Sequence, residues 1–244
     1  MPSADAVRTA VIELTVMGTR VKAEIPVPEG NVRPAALLPV FQSFADTVVD
    51  IAVQKAVGSG QTLSCRKGCG ACCRQLAPIS GAEIQRLREV VGAMPTERRD
   101  EIRSRFATIE QRLEEAGIAG QLGDIGALDA DEARRLGRGY FALGLACPFL
   151  EDESCSVHAE RPVACREYVV SSPPEHCAAP SAETVVKIPV PPVVFRAVSS
   201  IGVEQDERPR ITALGLLFAG SGSEPAPVNA AAALEAGFRA IGRR

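Results

Sequence analysis

The segment Cys65-Arg-Lys-Gly-Cys69-Gly-Ala-Cys72-Cys73 places four thiols within nine residues. Gly68, Gly70 and Ala71 carry little or no side chain, so the backbone can curl tightly enough for several sulfurs to converge on one centre. Thiolates bind zinc at about 2.3 Å, or hold an iron–sulfur cluster as four ligands. Single buried cysteines are common in protein cores, but four clustered beside Arg66, Lys67 and Arg74 read as a chelate loop. Four thiolates around Zn(II), or around an oxidised 4Fe–4S core, leave a formal charge of about −2. The three cations either offset that charge and lower the thiol pKa values, or are ordinary solvated surface charges. Adjacent Cys72 and Cys73 are hard to aim at one atom without strain, so they read as serving different centres or bridging two metals.

A second block supplies four more thiols: Cys147-Pro-Phe-Leu, Cys155-Ser-Val-His158, Arg161-Pro-Val-Ala-Cys165-Arg-Glu-Tyr168 and His176-Cys177. Spacings of eight, ten and twelve residues are too wide to define a site locally, so the fold must gather them, and they are expected to close over the first block. Arg161 and Arg166 again bring positive charge beside the sulfurs. His158 and His176 read as surface residues or as neighbours of the ligands, with imidazole ligation as the alternative. Tyr168 reads as packing, with a hydroxyl hydrogen bond as the alternative. The predicted metal ligands are therefore Cys65, Cys69, Cys72, Cys73, Cys147, Cys155, Cys165 and Cys177.

Together, Cys65-x3-Cys69-x2-Cys72-Cys73, Cys147-Pro-Phe-Leu, Cys155-Ser-Val-His158, Arg161-Pro-x2-Cys165-Arg and the late Cys177 resemble the CxxCxxCC, zinc- or iron-chelating, domain family of YkgJ-like cysteine-cluster proteins. The resemblance spans roughly residues 60–180. One departure is the three-residue gap between Cys65 and Cys69, where the family name specifies two. The resemblance implies metal chelation by the eight cysteines and no settled activity. A related cluster in flagellin lysine N-methylases implies an iron–sulfur centre, but nothing outside 60–180 extends methylase activity to this chain.

The elements that must position these blocks follow from periodicity. Residues 7–26 alternate about Met17, Gly18 and Thr19, which predicts a β-hairpin, ended by Pro26 and Pro28 because proline cannot continue the ladder. Pro34 or Pro39 suits the first turn of a helix on which Leu37, Phe41, Phe44, Val48, Ile51 and Ala52 form one face. That helix runs to about Val57 and stops at Gly58, Ser59 and Gly60. Ser80-Gly-Ala-Glu83 is a capping box opening a helix to about Gly92. Another helix begins at Pro95 and Thr96, carries Ile102, Phe106, Ile109 and Leu113, and ends at Gly117. Residues 118–128 read as a loop, and Asp129 or Asp131 caps a short helix over 131–142. A small hairpin is predicted from Phe149–Leu150 and Ser156–His158 around a turn at 151–154. Apolar segments follow near 193–203 and 211–219, then a linker at 221–227 and a final helix with Ala230, Leu234, Phe238 and Ile241 on one face. The expected fold is α+β and predominantly helical, with an N-terminal β-hairpin and a loop-held cysteine site. Its expected parts are 1–60 (hairpin and helix), 61–180 (cysteine-cluster domain) and 181–244 (helical extension on the same core).

The chain is 46% apolar and 23% charged, which excludes wholesale disorder. A net charge of −3, with eight Phe, two Tyr and no Trp, gives no footprint for nucleic acid. Met1 to Asp5 show no secretory signal. The longest apolar stretch, 35–57, is broken by Gln42, Asp46, Asp50, Gln54 and Lys55, short of the roughly 18 uninterrupted residues of a membrane helix. The expectation is a cytoplasmic protein with neither nucleic acid nor membrane as partner, in which eight cysteines mean metal or redox chemistry rather than disulfides. The leading function is cysteine-ligated metal binding without evident catalysis, an iron–sulfur cluster (4Fe–4S) being favoured over zinc. The alternatives are an iron–sulfur enzyme or methyltransferase-associated subunit, and a structural zinc protein mediating protein interactions. Cys65-x3-Cys69-x2-Cys72 has the spacing of radical S-adenosylmethionine enzymes, but Ala71 replaces their usual aromatic and a helix precedes the loop. A zinc module for nucleic acid would need paired Cys-x2-Cys knuckles, which are missing.

Overall fold

Met17 and Gly18 both take positive φ, 50° and 81°, as a two-residue type I′ turn requires. They fold Val7–Val16 (β1) onto Thr19–Pro28 (β2), the hairpin that the alternation predicts. One expectation is corrected: Pro26 and Pro28 lie inside β2, opposite Thr9 and Val7. Antiparallel pairs alternate between exchanging hydrogen bonds and not, starting with a bonded pair beside the turn. Counted that way, both prolines fall where the backbone nitrogen points away from β1, so the ladder does not need the N–H they lack.

The computed structural model describes residues 7–181, 183–204, 207–220 and 225–242. The N-terminal stretch Met1 to Asp5 and part of the predicted linker, 221–224, lie outside them. The fold is α+β and mostly helical, with several two-stranded antiparallel sheets.

After Asn31–Val32 (β3), a 3-10 turn over Pro34–Leu37 leads into Leu38–Gly58 (α1). Pro39 sits in the first turn of α1, where its missing N–H costs nothing. Leu38, Phe41, Phe44, Ala45 and Val48 form a buried stripe packed on Val16 and Ile25 of the hairpin and on Leu234, Phe238 and Ile241 of the C-terminal helix. Phe238 stacks on Phe41 (5.2 Å between centroids) and meets Phe44 edge-on (5.4 Å). By length and composition Pro34–Gly58 would also pass as a membrane span; in this fold its apolar stripe is core.

Pro78–Ser80 (β4) precedes Gly81–Gly92 (α2), and Thr96–Glu115 (α3) follows. The predicted capping box is formed, with Ser80 at the N-cap and Glu83 reaching back. Residues 118–128 differ from expectation. They hold Ala119–Leu122 (α4) and a 3-10 turn at Ile125–Ala127, because fully buried Leu122 anchors the stretch against Leu113, Leu136 and Tyr140. Ala130–Ala142 (α5) is capped by Asp129.

The second block is also more regular than a loop. Leu150–Glu151 (β5) pairs with Ser154–Cys155 (β6) around Asp152 and Glu153, both at positive φ, a tighter hairpin than predicted. Val163–Glu167 (α6) and Pro174–Ala178 (α7) carry Cys165 and Cys177. Phe195–Ser199 (α8) and Ile211–Ala213 (β7) follow, and β7 pairs with β4. Val228–Asn229 (β8) pairs with β3 and leads into Ala230–Gly242 (α9). Leu214 and Leu217, just past β7, pack among Ile79, Leu87, Ile102, Phe106 and Phe149. That cluster also receives Cys147 and Cys155, while Cys65 packs on a separate one of Ala52, Ala56, Val169 and Ile188. The cysteine region lies between the two.

Candidate metal centre

The first block is fastened to the second by backbone. Ser64 donates its N–H to the Val170 carbonyl (3.0 Å) and its hydroxyl to the Ser171 carbonyl (3.1 Å). The loop then turns through Gly68 at φ 83°, and Cys69 N–H closes back on the Arg66 carbonyl (3.1 Å). Gly70 is where the two blocks touch: a Cβ there would lie 2.4 Å from Leu150 Cδ1 and 2.5 Å from the Glu153 carbonyl oxygen. Glycine is required at 70 because the β5–β6 hairpin rests directly on its backbone. Ala71–Arg74 forms a 3-10 turn carrying Cys72 and Cys73. Cys147 N–H donates to the Cys73 carbonyl (2.7 Å), and Gln75 Nε2 donates to the Cys177 carbonyl (2.9 Å).

Helix α6, with Cys165 near its middle, is held from three sides. Glu83 Oε1 accepts the Val163 N–H (2.7 Å), while Oε2 accepts the N–H and hydroxyl of Ser80 (2.8 and 2.9 Å). One buried carboxylate thus caps both α2 and α6. Arg166 donates to Asp46 Oδ2 (2.7 Å), to the Arg161 carbonyl (3.1 Å) and to the Ala159 carbonyl. Glu167 accepts the backbone N–H groups of Val194 and Phe195 at the start of α8. The capping motif is visible in sequence; the second use of Glu83 is not, since it joins residues 80 positions apart.

A cavity of about 260 Å³ opens onto this region, lined by Cys65, Cys69, Cys72, Cys165 and Cys177 together with His158, Arg161 and Tyr168. Cys72 sits at the electrical centre: its sulfur helps to raise the pKa values of Cys65, Cys147, Cys155, Cys165 and Cys177. Its own thiol is raised furthest, by a hydrogen bond with Cys73 and then by burial. Burial is the main cause elsewhere, pushing Cys147 and Cys165 up to about 12 and Cys177 to about 11. Without a cation these thiols stay protonated at neutral pH, and a metal must displace their protons to bind.

The flanking cations divide. Arg74 is gripped bidentately by Glu153 (2.9 and 2.6 Å) and Arg166 is saturated as above, so both act as clamps rather than free counter-charges. Arg161 lines the cavity, lowers the pKa values of Cys65, Cys72, Cys155 and Cys165, and keeps a buried Nε without a partner among the described residues. Burial, followed by Arg161 and Arg166, depresses the His158 pKa, so its imidazole is neutral. His176 is engaged through Nδ1 with the Thr184 carbonyl (2.8 Å). Tyr168 both packs, with Lys187 4.7 Å over its ring, and sets its hydroxyl beside Gln75 and Cys177.

Among the described residues, no group of three or more His, Cys, Asp or Glu side chains is positioned to hold a metal ion. The main chain brings the two blocks together, and the sulfurs surround one region without converging on a point. The donor set is still chemically that of zinc or iron, all thiol and beside a cation. The orphaned Arg161 N–H fits a centre that carries negative charge.

Residues 64–182 match the family model described as "CxxCxxCC: Putative zinc- or iron-chelating domain". No curated protein and no solved structure matches the chain.

Proposed function

From residues 64–182 as a CxxCxxCC zinc- or iron-chelating domain, we propose that this chain holds its metal in one composite region built from all eight cysteines. The preferred occupant is an iron–sulfur cluster, with zinc as the alternative, and no catalysis is evident. The carrying observation is the Cys147 N–H bond to the Cys73 carbonyl at 2.7 Å, which seats the second block on the first. Cys65, Cys69, Cys72 and Cys177 line the open side with Cys165; Cys147 and Cys155 pack on the neighbouring core and feel the charge of Cys72. A bound cluster would supply one-electron chemistry and a bound zinc would supply a structural clamp. Eight free thiols suit a reducing, cytoplasmic setting, and the slightly acidic chain suits neither nucleic acid nor an anionic membrane as partner.

The test is anaerobic purification of the full chain, followed by metal analysis and a visible spectrum. Iron and sulfide with absorption at about 400 nm support the cluster. A colourless protein with stoichiometric zinc removes the cluster and leaves the zinc reading. Metal content that is unchanged when cysteines of either block are replaced by serine refutes the composite site.

A further inference from the structure

Five cations lie close to the cysteines in sequence, and the fold disposes of four. Arg74 and Arg166 are occupied by Glu153 and by Asp46 with two carbonyls; Arg66 and Lys67 line the rim of the thiol cavity but are exposed, so water satisfies their donors. Arg161 is different. It lines the thiol cavity, and its Nε is fully buried with no hydrogen-bond acceptor among the described residues. Its backbone cannot easily withdraw, because its carbonyl accepts from Arg166 Nε (3.1 Å) and Pro162 follows at the start of α6. A buried guanidinium N–H without an acceptor is unfavourable, and native proteins rarely leave one so. The polar groups that share the cavity with it include Cys65, Cys69, Cys72, Cys165 and Cys177, with His158, Tyr168, Asp50, Arg66 and Lys67.

We infer that Arg161 is the built-in counter-charge of the metal centre, donating its Nε–H to a thiolate sulfur that carries the centre's negative charge. The inference rests on the metal-binding reading above. An all-thiolate zinc or iron site is anionic, and a partly buried anion needs a paired, hydrogen-bonded cation to be stable. Arginine suits this role better than lysine because its donors are planar and fixed. Arg161 touches the sulfurs rather than the metal, so it is a positioning residue.

The experiment compares the full-length wild-type protein with Arg161→Met, Arg161→Lys and Cys165→Ser. All four are reduced and loaded with zinc, and affinity is read by competition with a chromophoric chelator. Circular dichroism checks that each is folded. Arg161→Met is expected to keep the wild-type zinc stoichiometry and lose about ten- to a hundredfold in affinity, with Arg161→Lys recovering part of the loss. In the wild type, the Arg161 Nε–H resonance, identified by its absence from Arg161→Lys, is expected to shift and become protected from exchange when zinc binds. Wild-type affinity in Arg161→Met, while Cys165→Ser loses zinc, overturns this inference and leaves the metal site standing. A wild type that takes up neither zinc nor, on anaerobic reconstitution with iron and sulfide, a cluster, or no loss of metal in Cys165→Ser, overturns the metal reading and this inference with it. If Arg161→Met does not fold, the resonance decides: an Nε–H that zinc leaves unmoved and unprotected refutes the role.

Discussion

In Glu83→Ala three donors lose their acceptor together: the amide and hydroxyl of Ser80 at the start of α2, and the amide of Val163 at the start of α6. Loss of a capping partner costs about 1 kcal/mol. Each buried donor left unpaired costs about 1–3 kcal/mol, and Glu83 is only 2% exposed, so water does not readily replace it. Part of this is offset, because burial raises the Glu83 pKa and a small side chain no longer has to be desolvated as an anion. The net expectation is a loss of about 2–4 kcal/mol, obtained from urea unfolding followed by circular dichroism. Ser80→Ala removes only the hydroxyl part of the α2 cap and should lose about 1 kcal/mol. The difference between the two holds the bond to Val163 together with that from the backbone N–H of residue 80, and with the former the hold on the helix that presents Cys165. Zinc affinity should therefore fall in Glu83→Ala although Glu83 is no ligand. The raised pKa also fixes a pH dependence. The folded metal-free protein keeps the Glu83 proton at pH values where the unfolded chain, near 4.5, has released it. Stability therefore drops as pH rises through that window, and Glu83→Ala should flatten the drop. If Glu83→Ala costs no more than Ser80→Ala, the carboxylate does not hold α6 and the reasoning is wrong.

Three further outcomes follow from the same contacts. Gly70→Ala drives a Cβ to 2.5 Å from the Glu153 carbonyl oxygen and should lose about 1–3 kcal/mol. Gly68→Ala meets open space at φ 83° and should lose only about 1 kcal/mol; urea midpoints in the reverse order would contradict the contact between the blocks. Arg166→Leu strips two carbonyls and Asp46 of their donor, an expected loss of about 2–4 kcal/mol in thermal or urea unfolding, below a fully buried pair because Asp46 is half-exposed. Arg208 holds the Asp124 carboxyl below its usual range. That contribution is complete above the ordinary Asp pKa and disappears as pH falls through the lowered one. Asp124→Asn should raise the pH midpoint of acid unfolding in low salt and do little in high salt, and an unchanged midpoint in low salt removes the ion pair from the account.

The parts of the fold legible in sequence are those set by neighbouring residues. Met17-Gly18 dictates its own turn, Ser80 and Glu83 lie within one helical turn, and the Phe41–Phe44–Val48 stripe needs only the 3.6-residue period. What escaped needs partners far along the chain. Leu122 turns a predicted loop into helix because Leu136 and Tyr140 wait for it, and Ile211–Ala213 becomes a strand because Pro78–Ser80 offers an edge. The site divides the same way. Its eight thiols are readable from residue type, and four of them from spacing. The distinction between Arg166 and Arg161, five residues apart and both beside Cys165, depends on Asp46 more than a hundred positions away.

The prolines in β2 have a consequence for how this molecule meets others. A two-stranded ribbon has two outer edges, and each can template a strand from another chain. On the β2 side, Pro26 and Pro28 occupy consecutive outward-facing positions, so the C-terminal end of that margin presents carbonyls without the amides a docking strand must find, while Arg20, Lys22 and Glu24 keep theirs. The β1 margin keeps its outward amides at Thr9, Val11 and Glu13, next to exposed Val7 and Val11. A strand adding to β2 is thereby limited to its N-terminal half beside charged Arg20, Lys22 and Glu24, so a continuous sheet growing through both edges would be cut short on that side.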